Sequence, residues 1–519
     1  MGKMASKWTG YVLLVCHFTA SFLNGGQAGT VNNKSGPDQI AQINGLGQLE
    51  HQLNTDLEKI NAPAKPWIVC PSSEHTDRLE VAIIGGGMAG ITAGFALIKE
   101  GITNIRIFDE NPPGLEGPWM RSARMHALRS GKTYMGPALG LPSLTFWSWY
   151  EAQYGRESWE SLKTIPKEMW NDYLCWYRQV LNLPIANSMH LMRLNPCEEA
   201  FELIFKDGQD EHAIYARRVV LATGREGAGG MEIPEFMQHV SRTVYAHTGE
   251  SIDPARFANK RIAVIGAGPS AFDAAAVALE NGAESVEMIV RRSEIPRVSK
   301  FAQLSYPGMA KGYYYLPDSV RFELFLDAAE AGIPPPVASI KRLQGYHQFR
   351  LHLNHPICEI WDNGEQIFIR TPQKRLACDF VVLATGYKVD LSCRPELIAI
   401  KDDILLWKHC ISDHYLQQRP KLGLFPYLGF HFQLMEKEPG AAPFLKRIYC
   451  FNYGAFLSHG LLTGDIPGIS IGASRLAEGI VRDIFLEKQI EYIEKIKQFQ
   501  ECLFDPVLIE AFEKAYQKP

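Results

Sequence analysis

The chain has 519 residues, of which 46% are hydrophobic and 21% charged, with a net charge of −4 and an isoelectric point near 6.4. This length allows two or three domains around a sizeable core, and the composition is that of an ordinary globular protein. The slightly acidic balance excludes the strong basic field of a nucleic-acid-binding protein. We therefore expect a small-molecule substrate and no nucleic acid as partner.

Residues 1–77 are predicted to form a leader, an N-terminal arm and a linker. The apolar stretch from Tyr11 to Leu23 resembles a signal peptide or weak membrane anchor, although it is short for a bilayer span. The alternative is a disordered leader. The following "QLEHQLNTDLEKIN" has helical spacing and is expected to pack on the body of the protein.

The ten cysteines form no C-x-x-C pair and no cluster with zinc-ligand spacing. This pattern favours reduced thiols, no metal site and a reducing compartment. We therefore predict a cytoplasmic protein. The competing prediction is that the leader directs the chain to the secretory route or anchors it to a membrane.

From residue 78 onward, apolar strands alternate with helical segments, which predicts parallel sheets with crossover helices. Two strand–turn–helix units stand out, "RLEVAIIGGGMAG" and "KRIAVIGAGPSAFDAAAVALENG". Between them, the aromatic run Phe146, Trp147, Trp149 and Tyr150 is predicted to belong to the core rather than to a substrate cage. The charged helix near the C-terminus is predicted to be a packing element or a homodimer contact.

The first glycine turn has the G-x-G-x-x-G spacing of a dinucleotide site. Gly85 permits the tight turn, Gly87 lets a pyrophosphate approach the backbone, and Gly90 lets the helix close on the strand. The next strand ends in Asp109, and a carboxylate there accepts hydrogen bonds from ribose hydroxyls. This acid-bearing turn suits FAD.

The second turn carries Gly266 and Gly268, with Ala271 at the third position. The strand after it ends in Arg291 and Arg292, where the first unit has its acid. A guanidinium pairs well with a 2′-phosphate, so this turn suits NADPH. The alternative is two solvated arginines at a strand end. A chain with both sites would pass a hydride from nicotinamide to flavin.

We therefore predict an α/β fold of two dinucleotide-binding, Rossmann-like domains, with the NADPH domain inserted in the FAD domain. The predicted segments are an FAD domain at 78–255 and 372–485, an NADPH domain at 256–371, and a helical tail at 486–519.

Three stretches resemble known flavoproteins. "LATGREG" (221–227) and "LATGYKVD" (383–390) are similar to the turns that link the domains of two-dinucleotide-domain flavoproteins, and "EGPW" (116–119) is similar to a segment of flavin-containing monooxygenases. The absence of cysteine between Asp109 and Trp170 excludes a disulfide reductase. The resemblance is to class B flavin monooxygenases. It implies that reduced FAD captures O₂ as a C4a-hydroperoxide, that NADP⁺ stays bound, and that the substrate takes the distal oxygen.

The F-x-G-x-x-x-H fingerprint of the xenobiotic enzymes is not kept. It would end at His247, but Ser241 and Thr243 replace its Phe and Gly. We predict that His247 packs in a linker, and the alternative is a functional contact.

Further stretches, such as "LRSGKTYMGP", "FPYLGFHFQLMEKEPGAAP" and "LSHGLLTGDIPGIS", resemble amino-acid N-oxygenating flavoproteins of the nitrosuccinate synthase type. That resemblance implies oxidation of the L-aspartate amine to nitrosuccinate. The alternatives are a flavin monooxygenase of a thioether, ketone or other amine, and an NADPH oxidase or redox-sensing flavoprotein.

A dicarboxylate substrate needs cations that bind carboxylate in a bidentate mode. Arg297 and Lys300 are candidate substrate contacts, and the alternatives are the NADPH phosphate or a surface position. His459 is a candidate flavin or substrate contact, or a core histidine. No catalytic base is assigned. The residues predicted to bind FAD and NADPH are Gly85, Gly87, Gly90, Asp109, Glu110, Trp119, Arg129, Thr223, Gly224, Gly266, Gly268, Ser270, Arg291, Arg292 and Gly386.

Overall fold

The computed structural model describes residues 37–68, 78–500 and 505–517, so the predicted leader lies outside the described residues. The strands, in chain order, are β1 Arg78–Ile84, β2 Ile105–Phe108, β3 Ile185–Ala186, β4 His190–Pro196, β5 Phe201–Asp207, β6 Asp210–Leu221, β7 Gly229–Met231, β8 Tyr245–His247, β9 Arg261–Ile265, β10 Ser285–Ile289, β11 Phe349–His352, β12 Glu359–Asp362, β13 Ile367–Arg370, β14 Arg375–Cys378, β15 Phe380–Leu383, β16 Tyr387–Val389 and β17 Ile448–Cys450. The helices are α1 Pro37–Lys59, α2 Met88–Lys99, α3 Phe146–Ser161, α4 Lys167–Val180, α5 Pro269–Glu280, α6 Pro307–Gly312, α7 Asp318–Ala331, α8 Val337–Leu343, α9 Asp413–Gln418, α10 Phe456–His459, α11 Ile469–Glu487, α12 Gln489–Gln498 and α13 Pro506–Tyr516.

The first sheet has the strand order β3-β2-β1-β6-β5-β4, with β17 also paired to β6. Strands β3, β2, β1, β6 and β17 are parallel, whereas β4, β5 and β6 form an antiparallel meander. Because β2 lies on one side of β1 and β6 on the other, the order reverses between β1 and β6. Ligands of such sheets bind at that reversal, outside the carboxyl ends of the strands.

The second sheet is parallel throughout, with the order β11-β10-β9-β15-β8. It repeats the first arrangement, since β15 pairs with β9 as β6 pairs with β1. The chain returns from it to the first sheet through β17, which confirms two Rossmann-like domains with the second inserted in the first. Strands β8 and β15 lie outside the predicted segment 256–371, so the inserted sheet is wider than the glycine turn alone indicated.

A two-stranded ribbon connects the domains. Strand β7, which follows the turn at 222–224, pairs antiparallel with β16, which follows the turn at 384–386. Glu232 N also donates to the carbonyl of Gly386 at 2.9 Å, and Thr385 Oγ1 donates to the carbonyl of Glu232 at 2.5 Å. The two A-T-G turns are thereby held close together.

The predicted N-terminal arm is helix α1, and it packs on the body of the protein. Ser143 Oγ donates to Asp56 at 2.7 Å, and Trp176 Nε1 donates to Glu50 at 3.0 Å. Beneath it, Phe146, Trp149 and Tyr150 are buried in one core cluster, as predicted for the aromatic run.

The C-terminal tail is helical, as predicted, but it divides into separate helices α12 and α13. Apolar side chains of both helices are exposed, among them Ile490, Ile496 and Phe512. Within the described ranges, no helix combines the length and the apolar character needed to cross a membrane.

Candidate active site

The first glycine turn is built by close backbone packing. Gly85 has φ +105°, and a side chain there would overlap the carbonyl of Ala222 at the end of β6. A side chain on Gly90 would overlap the carbonyl of Gly85. Gly87 is the N-cap of α2, and no side chain caps the helix there. The free amides and the helix dipole fit the pyrophosphate of FAD.

Asp109 lies at this turn. Its buried carboxylate accepts hydrogen bonds from Gly86 N at 2.7 Å and from Asn111 N and Nδ2 at 2.8 and 2.9 Å. Burial raises the pKa of Asp109, and these hydrogen bonds oppose that shift. Glu110 is exposed and pairs with His190 at 2.9 Å. The structure therefore places an acid at the predicted ribose position, where it also holds the turn together.

The "EGPW" segment folds over the first turn. Glu116 is buried and accepts from Gly114 N and Asn187 Nδ2, both at 2.7 Å. A Cβ atom on Gly87 would lie 3.6 Å from the Cα of Gly117, so the two backbones nearly touch. We did not single out the Glu116 side chain from the sequence, because a lone carboxylate outside a motif carries no signal there.

Trp119 packs edge-on against Trp170, with ring centroids 6.2 Å apart. Its neighbours are therefore core aromatics, and a flavin contact at Trp119 stays a prediction.

The first A-T-G turn connects the ends of β6 and β17. Asn452 Nδ2 donates to Thr223 Oγ1 at 3.0 Å, and Tyr453 N donates to the carbonyl of Gly224 at 3.1 Å. Gly224 has φ +73°, a conformation that glycine adopts without strain. Because the carboxyl ends of β1, β6 and β17 meet here, the flavin half of FAD fits beyond this turn.

The second turn repeats this construction. Gly266 has φ +141°, and a Cβ atom there would lie 2.5 Å from the carbonyl oxygen of Ala384. Around Gly268 no atom would meet a Cβ, so its backbone is open to a phosphate. Ser270 is exposed in the first turn of α5, and Gly386 has φ +87° with open space beside it. These features fit NADPH.

The two predicted phosphate arginines differ. Arg292 donates to the carbonyl of Glu330 at 2.6 Å, near the C-terminal end of α7, where a cation is favoured. Arg291 is exposed and makes no hydrogen bond or ion pair with any described residue. Arg291 is thus the one available to a 2′-phosphate.

Arg129 forms an ion pair between the domains. Its guanidinium lies 3.2 Å from the buried carboxylate of Asp273 on α5, which also accepts from Ser339 Oγ at 2.6 Å. Burial lowers the pKa of Arg129, and the charge of Asp273 opposes that shift. Lys132, three residues on, lies 4.5 Å above the ring of Trp159. The structure shows these contacts instead of a phosphate site, which stays a prediction.

The three predicted substrate contacts are not brought together. Arg297 is 80% exposed and lies 3.7 Å from Glu294, and Lys300 pairs with Asp327 on the surface. His459 is buried, with its Nε2 donating to the carbonyl of Gly429 at 3.0 Å. These positions favour the surface alternative for Arg297 and Lys300 and the core alternative for His459.

His459 and His247 are both neutral. Burial, followed by the charge of Arg475, lowers the pKa of His459 well below its ordinary range. His247 is buried on β8, and its Nδ1 accepts from Gly249 N at 3.0 Å. Burial lowers the pKa of His247 to about 4. Its ring stacks edge-on with Tyr387 at 5.6 Å, as linker packing predicts.

An arginine that we did not single out from the sequence lies at the junction of the domains. Arg225 directly follows the first A-T-G turn, is half-exposed, and lies 3.7 Å from Asp465 in the loop before α11. Its position after "LATG" was the available signal. The described residues include no group of three or more His, Cys, Asp or Glu side chains that could hold a metal.

Comparison with known proteins gives the family. The FAD-dependent urate hydroxylase of Xanthomonas campestris pv. campestris is 35% identical over 465 residues, which cover 88% of this chain and 97% of that protein. A family model described as FAD-NAD(P)-binding matches residues 82–226. A second, described as L-lysine 6-monooxygenase/L-ornithine 5-monooxygenase, matches residues 158–389.

Solved structures share the fold. The ornithine hydroxylase of Pseudomonas aeruginosa superposes with a TM-score of 0.62 at 16% identity, over 78% of this chain and 99% of that chain. The ornithine N-hydroxylase of Kutzneria sp. 744, described with reduced FAD, NADP⁺ and L-ornithine, has a TM-score of 0.60 at 13% identity, over the same shares.

The predicted class and cofactors are thereby confirmed, whereas the finer assignment to the nitrosuccinate synthases stays a proposal. The chain belongs to the family of the FAD-dependent urate hydroxylase and is an NADPH-dependent flavoprotein monooxygenase that binds FAD and NADP(H).

Proposed function

We propose that this enzyme hydroxylates urate, with FAD and NADPH as cofactors and O₂ as the oxidant. The observation that carries the proposal is the similarity to a urate hydroxylase along 97% of that protein's length. The charge of the site supports it, because the half-exposed Arg225 directly follows the first A-T-G turn. Urate is a planar anion at neutral pH, and guanidinium groups pair well with such anions.

The residues of the first domain hold FAD in this proposal. The open amides at Gly87 and the start of α2 bind its pyrophosphate, and Asp109 with Glu110 lies where the adenosine ribose binds. Thr223 and Gly224 line the passage toward the flavin half.

The residues of the second domain hold NADPH. Gly268 and Ser270 face its pyrophosphate, and Arg291 pairs with the 2′-phosphate. Bound together, the two cofactors supply two electrons to O₂, so that one oxygen atom enters the substrate and the other leaves as water. The protein contributes position, exclusion of water and charge.

A second candidate is N-hydroxylation of an amino acid, with L-aspartate as the substrate that the sequence resemblance implies. The match of residues 158–389 to the lysine and ornithine monooxygenase model favours this chemistry. An aspartate carboxylate would also suit the cationic junction.

The test is a substrate panel with the purified FAD-loaded enzyme. NADPH oxidation, O₂ uptake and peroxide release are followed with urate, L-aspartate or L-ornithine. The masses of the products are determined by mass spectrometry after reaction under ¹⁸O₂. We expect urate to stimulate NADPH oxidation and to gain one ¹⁸O atom. An N-oxygenated product from aspartate would favour the second candidate, and peroxide release that no substrate alters would indicate an oxidase.

A further inference from the structure

The backbone that carries Arg225 is held in place by close packing, while its side chain is half-exposed. Tyr453 N donates to the carbonyl of the preceding Gly224 at 3.1 Å. Two residues after Arg225, Gly227 packs so tightly on Thr223 that a side chain there would overlap the threonine hydroxyl. The Arg225 side chain is nevertheless 52% exposed. A fixed backbone with an exposed side chain is typical of a residue that binds a ligand rather than of one that packs in the core.

Two other arginines near this site, Arg124 and Arg129, are already engaged. Arg124 donates to the carbonyls of Thr248 and Glu250, both at 2.8 Å. Arg129 pairs with Asp273 at 3.2 Å. Among the described residues, Arg225 forms one ion pair, with Asp465 at 3.7 Å, which is too long for a hydrogen bond. Its guanidinium donors therefore stay available to an anion.

Two half-buried tyrosines, Tyr387 and Tyr453, are close enough to Arg225 to feel its charge. Tyr453 follows the last strand of the first sheet, and Tyr387 follows the second A-T-G turn. Burial raises the pKa of both phenols, and the charge of Arg225 opposes the shift at both. Both phenols are therefore protonated at neutral pH.

The two tyrosines near Arg225 belong to segments that lie beside different A-T-G turns. Tyr387 is tied to the first domain by the β7–β16 ribbon, and Tyr453 by its bond to the A-T-G turn. A ligand held at Arg225 would thus contact the segments that follow each of the two cofactor turns. That is the place where a substrate must lie if both cofactors act on it.

We propose that Arg225 is the specificity-determining residue of this site, selecting a planar anionic substrate whose charged edge pairs with the guanidinium near Tyr387 and Tyr453. This inference rests on the proposed function for the identity of the anion. It assigns to Arg225 the role that the sequence assigned to Arg297 and Lys300.

The test compares Arg225→Lys and Arg225→Met with a control, Arg193→Met. Arg193 is also half-exposed and paired with an acid, Glu211 at 2.9 Å, but it lies on the antiparallel meander. Four quantities are measured for each: FAD content, the dissociation constant of urate from the changes in flavin absorbance, the KM for urate in steady-state NADPH oxidation, and the rate of anaerobic flavin reduction by NADPH.

We expect Arg225→Met to weaken urate binding and raise its KM about 100-fold, because a charged hydrogen-bonded pair is lost. Arg225→Lys keeps the charge but not the fork and should lose about 10-fold. FAD content and NADPH-driven reduction should match the wild type and the Arg193→Met control. Unchanged urate affinity in Arg225→Met, or a loss of NADPH or FAD binding instead, would overturn the inference.

Failure of the proposed function gives a different result. If the wild type neither binds nor oxidises urate but oxidises L-aspartate, urate is the wrong substrate. The same variants are then measured with aspartate. A 100-fold loss in Arg225→Met would keep the anion-selecting role, and an unchanged KM would remove it.

Discussion

Two adjacent arginines in "IVRRSE" have different surroundings, and this difference predicts the nucleotide preference. Arg291→Met should raise the KM for NADPH about 10- to 100-fold and leave the KM for NADH nearly unchanged, because only NADPH has a 2′-phosphate. The measurement is steady-state kinetics with both nucleotides at constant ionic strength.

Arg292→Met provides the matched control, because Arg292 donates to a carbonyl at the end of α7. It should lower the melting temperature by about 1 °C, as expected for loss of about 1 kcal/mol in a chain of this length, and leave the NADPH preference intact. If Arg292→Met changed the preference and Arg291→Met did not, the assignment of Arg291 would be wrong.

His247 makes stability depend on pH. Its pKa is about 4 in the folded protein, against an ordinary 6.5, because burial disfavours the charged ring. The unfolded chain therefore binds a proton first as pH falls. The stability held above pH 6.5 is lost progressively toward pH 4, by at most about 3 kcal/mol.

His247→Gln should flatten this dependence, since glutamine does not titrate. The measurement is urea unfolding of both proteins between pH 4 and 7.5. Parallel curves for the wild type and the variant would contradict a neutral buried His247.

Among the secondary-structure elements, the two glycine turns could be predicted from the sequence, because each strand, turn and helix unit is local in sequence. Gly85, Gly90 and Gly266 were predicted from spacing, and each lies where a side chain would strike a carbonyl. The ion-pair partners of the charged residues were harder to predict. Lys300 and Arg129 find their acids 27 and 144 residues away, at distances that no motif encodes.

Two glycine substitutions should have opposite consequences. Gly90→Ala forces a methyl group into the Gly85 carbonyl, so we expect lost FAD and a melting temperature lower by several degrees. Gly268→Ala has open space, so the apoprotein should fold normally while NADPH binds at least 10-fold more weakly. FAD absorbance, thermal unfolding and NADPH titration distinguish them. A normal FAD content in Gly90→Ala would contradict the packing described.

For the whole molecule, the order of the two domains was predictable from two repeated turns, whereas their extent was not. Strand β8 carries no glycine signal and joins the second sheet only by pairing with β15. The predicted segment 256–371 therefore left out β8, which lies before it in the chain, and β15, which lies after it. The ribbon of β7 and β16 could not be predicted from the sequence either, since a strand of three residues is too short to show a pattern.

The ion pair of Arg129 with Asp273 couples the two domains. Arg129→Met should leave FAD content unchanged and reduce stability by at most about 1 kcal/mol, because Arg129 is partly exposed. Flavin reduction by NADPH should slow about tenfold, since small misplacements of reacting groups are costly. Stopped-flow absorbance measures this rate, and an unchanged rate would show that the pair does not position the domains.

The assignment of FAD to the first glycine turn and NADPH to the second is tested most directly by a crystal structure of the enzyme with FAD and NADP⁺. We expect this structure to contain two dinucleotides, with the FAD pyrophosphate against Gly87 and the start of α2, and with NADP⁺ against Gly268 and its 2′-phosphate at Arg291. A single bound dinucleotide, or FAD in the turn that begins at Gly266, would contradict it.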